Sequence, residues 1–162
     1  MYNQINADTL TKAGQFALSD IQLISYQSSD GGSEPKKVSV RSLVLEINIY
    51  EDIFSKGLSG NIVLLDGQNL TNHLPLTGFE RIEFKLNTPG IAKGFDFTST
   101  TGHPMYIYKI SGRQEATPRT QMYVLHFASK EILTNETKKI YRTMSGTIDD
   151  MVLDLSLIHI SE

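Results

Sequence analysis

Between Val38 and Leu65 the pattern of polar and apolar positions predicts a long strand, a compact turn and a second strand, and the rest of the chain reads as organised around that stretch. In VSVRSLVLEINIY, Leu43, Leu45, Ile47 and Ile49 share one parity, while Val44, Glu46, Asn48 and Tyr50 take the other. This is the pattern of a strand with one buried face and one wet face. Asp52, Ser55, Gly57, Ser59 and Gly60 then turn the chain. The run Ile62-Val63-Leu64-Leu65 is apolar on both parities and predicts a second strand, covered on both sides. A two-stranded ribbon is at best marginally stable in water, so neighbouring segments must complete a sheet.

Those neighbours follow from the same periodicity. Residues 1–15 are polar and without period, and read as an arm. Phe16 and Leu18 alternate, Ser19-Asp20 can bend the chain, and Ile21, Leu23 and Ser25 resume on one parity, with Ile24 and Tyr26 filling out a first strand. Residues 28–35 (SSDGGSEP) carry the strongest loop chemistry, with two glycines tolerant of positive φ and Pro35 setting its own φ. After Asp66-Gly67, Leu70 and Leu74 at i,i+4 predict a helical turn, ended by Pro75 and Gly78. Glu80 to Leu86 alternates without a fault, with Ile82, Phe84 and Leu86 inward and Arg81, Glu83 and Lys85 outward. Phe95 and Phe97 mark a short strand. Residues 104–111 predict a strand with Tyr106, Tyr108 and Ile110 opposite Met105 and Ile107, and residues 112–119 (GRQEATPR) a loop. Residues 120–127 return with Tyr123, Leu125 and Phe127 opposite Met122, Val124 and His126, and a hairpin is the default pairing.

From Ser129 the β pattern stops. Lys130 to Leu133 and Glu136 to Met144 have helical composition, with Ile140 and Met144 at i,i+4 and a break at Gly146. Thr147 at an N-cap and Asp150 three residues on predict another helix start, followed by Ile148, Met151, Val152 and Leu155 at helical spacing. Strands followed by short helices predict a mainly β domain, an antiparallel β-barrel or sandwich over 16–128. A helical segment over 129–154 would begin a second part.

Composition narrows this picture mostly by exclusion. A chain of 162 residues without cysteine has no disulfide framework, thiolate metal site or Cys nucleophile. A formal net charge of −3 implies neither a nucleic-acid nor an anionic-membrane partner. The N-terminus lacks a charged region followed by an apolar one, no run is long enough to span a bilayer, and no repeat of 20–50 residues is visible.

Candidate chemistry is sparse. His73, His103 and His126 stand in no HxH, HxxxH or HExxH spacing and are read as loop and strand histidines, so no metal is expected. Glu51-Asp52 and Asp149-Asp150 are adjacent carboxylates, explained by a turn and a helix cap, since acid–base work needs carboxylates held across a cleft. Ser55, Ser59 and Ser145 lack the GxSxG elbow, and Gly57 to Gly60 is too short for a phosphate loop. Lys36-Lys37 and Lys138-Lys139 with Arg142 are small basic groups without an obvious aromatic platform, and Tyr106, Tyr108 and Tyr123 are read as cross-strand packing. The expectation is a scaffold with no catalytic, cofactor-binding or metal residues.

The segment LVLEINIYEDIFSKGLSGNIVLLDGQNLTNHLPLTGFERIEFKLNTPG (Leu43 to Gly90) resembles the first part of the baseplate hub proteins of contractile-tailed bacteriophages. It has their IYEDIF turn, GNI…D strand and LP…G.E.I.F…TP strand in order. YVLHFASKEILTNETKKIYRTMSGTIDDMV (Tyr123 to Val152) is similar to the same family's strand-then-helix passage, so the resemblance covers 16–152. It implies a β-barrel of the tail-tube type, made in the host cytoplasm and placed in the virion tail baseplate. It also implies partners: other hub subunits in a trimer, a central spike protein and the tail tube protein, with no nucleic acid and no membrane. The alternative is a β-barrel ligand-binding module for carbohydrate or single-stranded nucleic acid, which would need Tyr26, Tyr50 or Tyr108 clustered at a groove. A third reading, an acidic hydrolase, would use Glu51, Asp52 or Glu80. The last eight residues, LSLIHISE (155–162), resemble a translated sequencing adapter, so His159 is not read as functional and the natural protein is expected to continue past Asp154.

Overall fold

The computed structural model describes residues 16–28, 35–74, 76–88, 94–139, 141, 143 and 145–153. The predicted arm at 1–15, the core of the glycine-rich loop at 29–34, Ile140, Arg142, Met144 and the last residues from 154 lie outside them. The chain is mainly β. Its strands are β1 (Ala17–Ser28), β2 (Pro35–Ser39), β3 (Val44–Tyr50), β4 (Ser59–Asp66), β5 (Arg81–Asn87), β6 (Phe95–Asp96), β7 (Met105–Thr117) and β8 (Thr120–Ser129). Two short helices join them, α1 (Leu70–His73) and α2 (Lys130–Thr137), and residues 148–153 form a further helical turn. All strand pairs are antiparallel, in the order β2-β1-β5-β7-β8-β4-β3, with β6 added on β5.

A covalent constraint bends this sheet. β2 and β3 are its outermost strands, six interstrand spacings apart along the ladder, which in a flat sheet is about 29 Å. The chain from Ser39 to Val44 can span at most about 18 Å. The sheet must therefore curl until its two edges approach. Hydrogen bonds mark where they meet: Val40 N donates to Ile21 O of β1 (3.3 Å), Leu43 N to Val40 O (2.9 Å), and Leu65 N of β4 to Leu43 O (2.8 Å). No β2–β3 ladder closes the sheet.

Curling gathers one face of every long strand into a single core. Ile21, Leu23, Val40, Leu43, Ile62, Leu64, Ile82, Phe84, Met105, Ile107, Tyr123, Leu125 and Phe127 are buried together, with Leu70 and Leu74 of the predicted helical turn and Phe97 beneath β6. The Phe84 ring lies 4.9 Å from that of Phe97 and 5.8 Å from that of Phe127, separations typical of favourable tilted pairs. Gly60 makes room for Phe127, because a Cβ there would strike the Phe127 ring and the carbonyl of Asn48. The predicted bend in β1 is a bulge between Ser19 and Gln22, with Asp20 in the left-handed region at φ 54°, a conformation Asp adopts more readily than most residues.

Two polar anchors complete the interior. The Asp66 carboxylate, itself buried, accepts bonds from Gln68 N (2.9 Å), Leu70 N (2.8 Å) and Tyr123 Oη (3.1 Å). It thereby ties the end of β4 to α1 and β8. Burial, with the Asp66 carboxylate beside it, pushes the Tyr123 phenol well above its usual range. Glu80, also buried, accepts bonds from Thr77 N, Thr77 Oγ1 and Gly78 N, each at 2.8 Å. Its burial raises the carboxyl, and these donors more than offset that, holding it below the ordinary 4.5.

Several expectations are corrected. Leu45 is not core. A bulge between Val44 and Glu46 inserts an extra residue, so Val44, Ile47 and Ile49 pack on the core and Leu45 turns out, 44% exposed. One bulge switches the parity of everything beyond it. β4 is buried on one face only: Gly60, Ile62, Leu64 and Asp66 are buried, while Asn61, Val63 and Leu65 are half-buried on the other. On β7 a bulge between Ile107 and Lys109 sets Tyr108 out and aligns Ile110 with Leu125, so Ile110 does not share the side of Tyr106 and Tyr108. Residues 112–119 are not a loop. β7 continues to Thr117, with Gln114 opposite Met122 and a turn at 118–119, because a ladder is held by backbone bonds that polar side chains do not oppose. Glu83, expected to be wet, is buried, and its Oε1 has no hydrogen-bond partner. The helical run from Glu136 stops at Thr137, since Lys138 is already extended.

Two substitutions separate these faces. Leu64→Ala should destabilise the fold by about 2–5 kcal/mol, and Leu45→Ala by less than about 1 kcal/mol, measured by urea denaturation. Glu80→Gln should reduce stability near pH 7. A depressed folded carboxyl contributes stability above its unfolded value and loses it as pH falls through its folded value, so the gap to wild type should shrink at about pH 3.

Candidate functional site

The β3–β4 turn, residues 51–58, is the most distinctive surface feature. Its Asp52 Oδ1 accepts from Phe54 N (2.9 Å), Ser55 N donates to Asp52 O (2.9 Å), and Ser55 Oγ donates to Gly57 O (3.0 Å). An Asp that bonds two residues forward fixes a turn without help from the core. The returning arm is seated on the start of α2. Ser129 N donates to Leu58 O (2.8 Å), and Gly57 packs so closely on Ser129 and Ile132 that a Cβ would collide with the serine hydroxyl. Lys56 and Glu136 add an exposed ion pair at 3.6 Å, worth little by itself. On this pinned frame Ile53 is 91% and Phe54 93% exposed.

A held turn that presents two large apolar side chains to solvent has no account in the fold's own stability. Each would gain about 1.5–3 kcal/mol on burial. Rigid apolar anchors are the form that interface hot spots take, because little conformational entropy remains to be lost on binding.

The other sequence candidates are dispersed. His73 ends α1, His103 lies in the turn before β7 and His126 is on β8. No group of three potential metal ligands exists among the described residues. Glu51 and Asp52 are exposed on the β3–β4 turn, whereas Glu80 is buried in the bonds of its own loop. These carboxylates form no acid–base pair. Asp149 and Asp150 are exposed, and Asp150 is a cap: Thr147 Oγ1 donates to Asp150 Oδ2 at 2.7 Å and Asp150 N reaches Thr147 Oγ1 at 3.4 Å. Ser55 bonds within its turn, Ser59 pairs within the sheet and Ser145 is exposed. Gly57 and Gly60 serve close packing. Lys36 Nζ donates to His73 O at 2.7 Å. Tyr123 is core, Tyr106 is half-buried, and Tyr108 lies on the outer face beside His126.

The outer face also holds groups the sequence did not single out. Asn48 Nδ2 donates to Glu46 Oε1 (2.7 Å) and Asn61 Oδ1 (3.0 Å), and Asn61 Nδ2 donates to Tyr50 Oη (3.0 Å). Ser111 Oγ and His126 Nε2 are 2.7 Å apart. This resembles half of a nucleophile–base pair, but no carboxylate is bonded to His126 among the described residues, and the pair lies on an open sheet face. Only the β7–β8 register, with its bulges, brings Ser111 to His126, and no local spacing signals it. No helix among the described residues is long and apolar enough to cross a membrane.

Compared with protein-family models, with curated proteins and with solved structures, the chain has no match in any of the three. If the Asp52 frame holds the turn as described, Asp52→Ala should raise backbone hydrogen exchange at residues 54–55 while lowering the melting temperature by no more than a few degrees.

Proposed function

We propose that this protein is a structural subunit that works through protein–protein contacts, with the β3–β4 turn as its principal docking element. The observation that carries this reading is the pinned turn presenting Ile53 and Phe54 to solvent.

The more specific form is a baseplate hub subunit of a contractile-tailed bacteriophage, linking a central spike to the tail tube. Its support is the ordered set of segments that resemble that family, IYEDIF, GNIVLLD and LPLTGFERIEFKLNTP among them. The IYEDIF segment is the end of β3 and the apolar turn itself. A barrel of the tail-tube type is the corresponding fold. The curl forced by the Val40–Leu43 connection supports it, with one interior core and two edges that meet at a corner. Hub subunits, spike protein and tube protein are the partners, and the virion baseplate is the location.

The test is assembly. The double variant Ile53→Ser/Phe54→Ser should melt within a few degrees of wild type, because both side chains are exposed. It should also weaken self-association or spike binding by at least about tenfold, read by sedimentation equilibrium and by titration with spike and tube proteins of contractile-tailed phages. A wild-type protein that stays monomeric at high concentration and binds neither partner overturns the reading. So does a double variant that assembles as well as wild type.

A further inference from the structure

The outer face of the sheet, opposite the core, carries a second surface that docking through the turn does not use. Strand register sets Ile24, Arg81 and Tyr106 side by side on β1, β5 and β7, with Lys37 beyond Ile24 on β2 and Ala128 beyond Tyr106 on β8; Ile24 and Ala128 are buried, Arg81 and Tyr106 half-buried and Lys37 exposed. Tyr26, Phe79 and the Tyr108–Lys109 bulge lie two residues further along these chains, Tyr26 in the irregular stretch of β1 between Ile24 and Ser28 and Phe79 just before β5, and Lys109 pairs with His126. The β5–β7 pairing reaches this level, since Ile107 N donates to Glu80 O at 2.9 Å, so Phe79 and Tyr108 are carried on adjacent chains. The rings of Tyr26 and Phe79 are 5.5 Å apart and 70% and 65% exposed. Tyr108 is 48% exposed, with its ring 6.1 Å from that of His126. Across four strands the strip is about 14 Å wide.

Cations stand among these rings. Lys37, Arg81 and Lys109 enter none of the ion pairs formed between described residues, and Glu83, on the same face of β5, is buried. Among the described residues beside these rings, Lys37 and Lys109 are exposed and Arg81 is half-buried, although the chain as a whole is at −3. Charges farther off than about 8–10 Å are screened at physiological salt, so the local sign is the one a ligand meets. Exposed rings interleaved with unpaired cations suit a polymer with flat π-faces joined by phosphates. A neutral glycan would use the rings and leave the cations unanswered. A duplex would answer the cations and hide its base faces.

We infer that the Tyr26–Phe79–Tyr108 strip, with Lys37, Arg81 and Lys109, binds single-stranded nucleic acid, stacking bases on the rings and neutralising phosphates with the cations. This stands independently of the assembly reading, because it uses neither Ile53 nor Phe54.

The experiment is fluorescence anisotropy with the full chain and labelled oligo(dT), oligo(rU) and a duplex, each of about twelve nucleotides. Saturable binding to either single strand, tighter than to the duplex, is expected, and the two single strands tell DNA from RNA. Three neutralised phosphates give a salt slope of about −2, so raising salt from about 50 to about 200 mM should cost close to twentyfold in affinity. Tyr26→Ala and Tyr108→Ala should each weaken binding at least about fivefold, and Lys109→Ala should lower the slope by about 0.7. All three sites are exposed, and unchanged melting curves will show that the variants fold. The inference is overturned if neither single strand binds, if the duplex binds equally well, or if both tyrosine variants bind as wild type. Binding of neutral oligosaccharide in place of nucleic acid, lost in the tyrosine variants, would also overturn it.

Discussion

Four residues, Val40 to Leu43, set the shape on which everything else depends. They join the two outermost strands of a seven-strand path, and their reach is shorter than the width of that path laid flat. The sheet curls because the chain is too short for it to do otherwise. Hydrophobic burial then stabilises what connectivity imposes, since a curled sheet encloses on one side the side chains that a flat sheet would leave to a separate covering layer. Val40 and Leu43 are themselves buried, so the connection that bends the sheet is also part of its core.

The interior is completed by groups that alternation cannot rank. Asp66 and Glu80 are carboxylates in the protein's interior, and each is acceptable there because three donors converge on it. Asp66 ties a strand end to α1 and, through Tyr123, to a strand far away in sequence. Glu80 closes the loop that delivers the chain into β5. Gly60 contributes by lacking a side chain where Phe127 needs the space. Polar anchors and a missing methyl thus settle details on which a purely apolar account is silent.

Two surfaces remain that the fold's stability does not explain, and they differ in kind. The β3–β4 turn is apolar and held rigidly by local bonds and by α2, as suits docking against another protein. The outer face of β1, β5 and β7 mixes rings with cations, which suits a charged polymer. They involve different residues, and the substitutions that test one leave the other intact.

The order and type of most elements were legible in the sequence, because period-two alternation and turn residues act over a few positions. The strand at 81–87, the inward Tyr123, Leu125 and Phe127, the i,i+4 pair Leu70 and Leu74, the bend at Asp20 and the Thr147–Asp150 cap are of this kind. The turn between β3 and β4 was legible too, from Asp52, Ser55, Gly57, Ser59 and Gly60, whereas the exposure of Ile53 and Phe54 was not. Tertiary structure alone decided what depends on register. The bulges at Leu45 and Tyr108 each flip a parity that alternation reads as continuous, and unlike the bend at Asp20 neither Val44-Leu45-Glu46 nor Ile107-Tyr108-Lys109 holds a Gly, Asn or Asp to mark it. The burial of Glu83, the meeting of Ser111 with His126 and the strip of Tyr26, Phe79 and Tyr108 arise the same way. Their members are distant in sequence and become neighbours only when strands pair across a curled sheet. Local chemistry determined which segments would be strands, and the short reach of Val40 to Leu43 determined which of their side chains would meet.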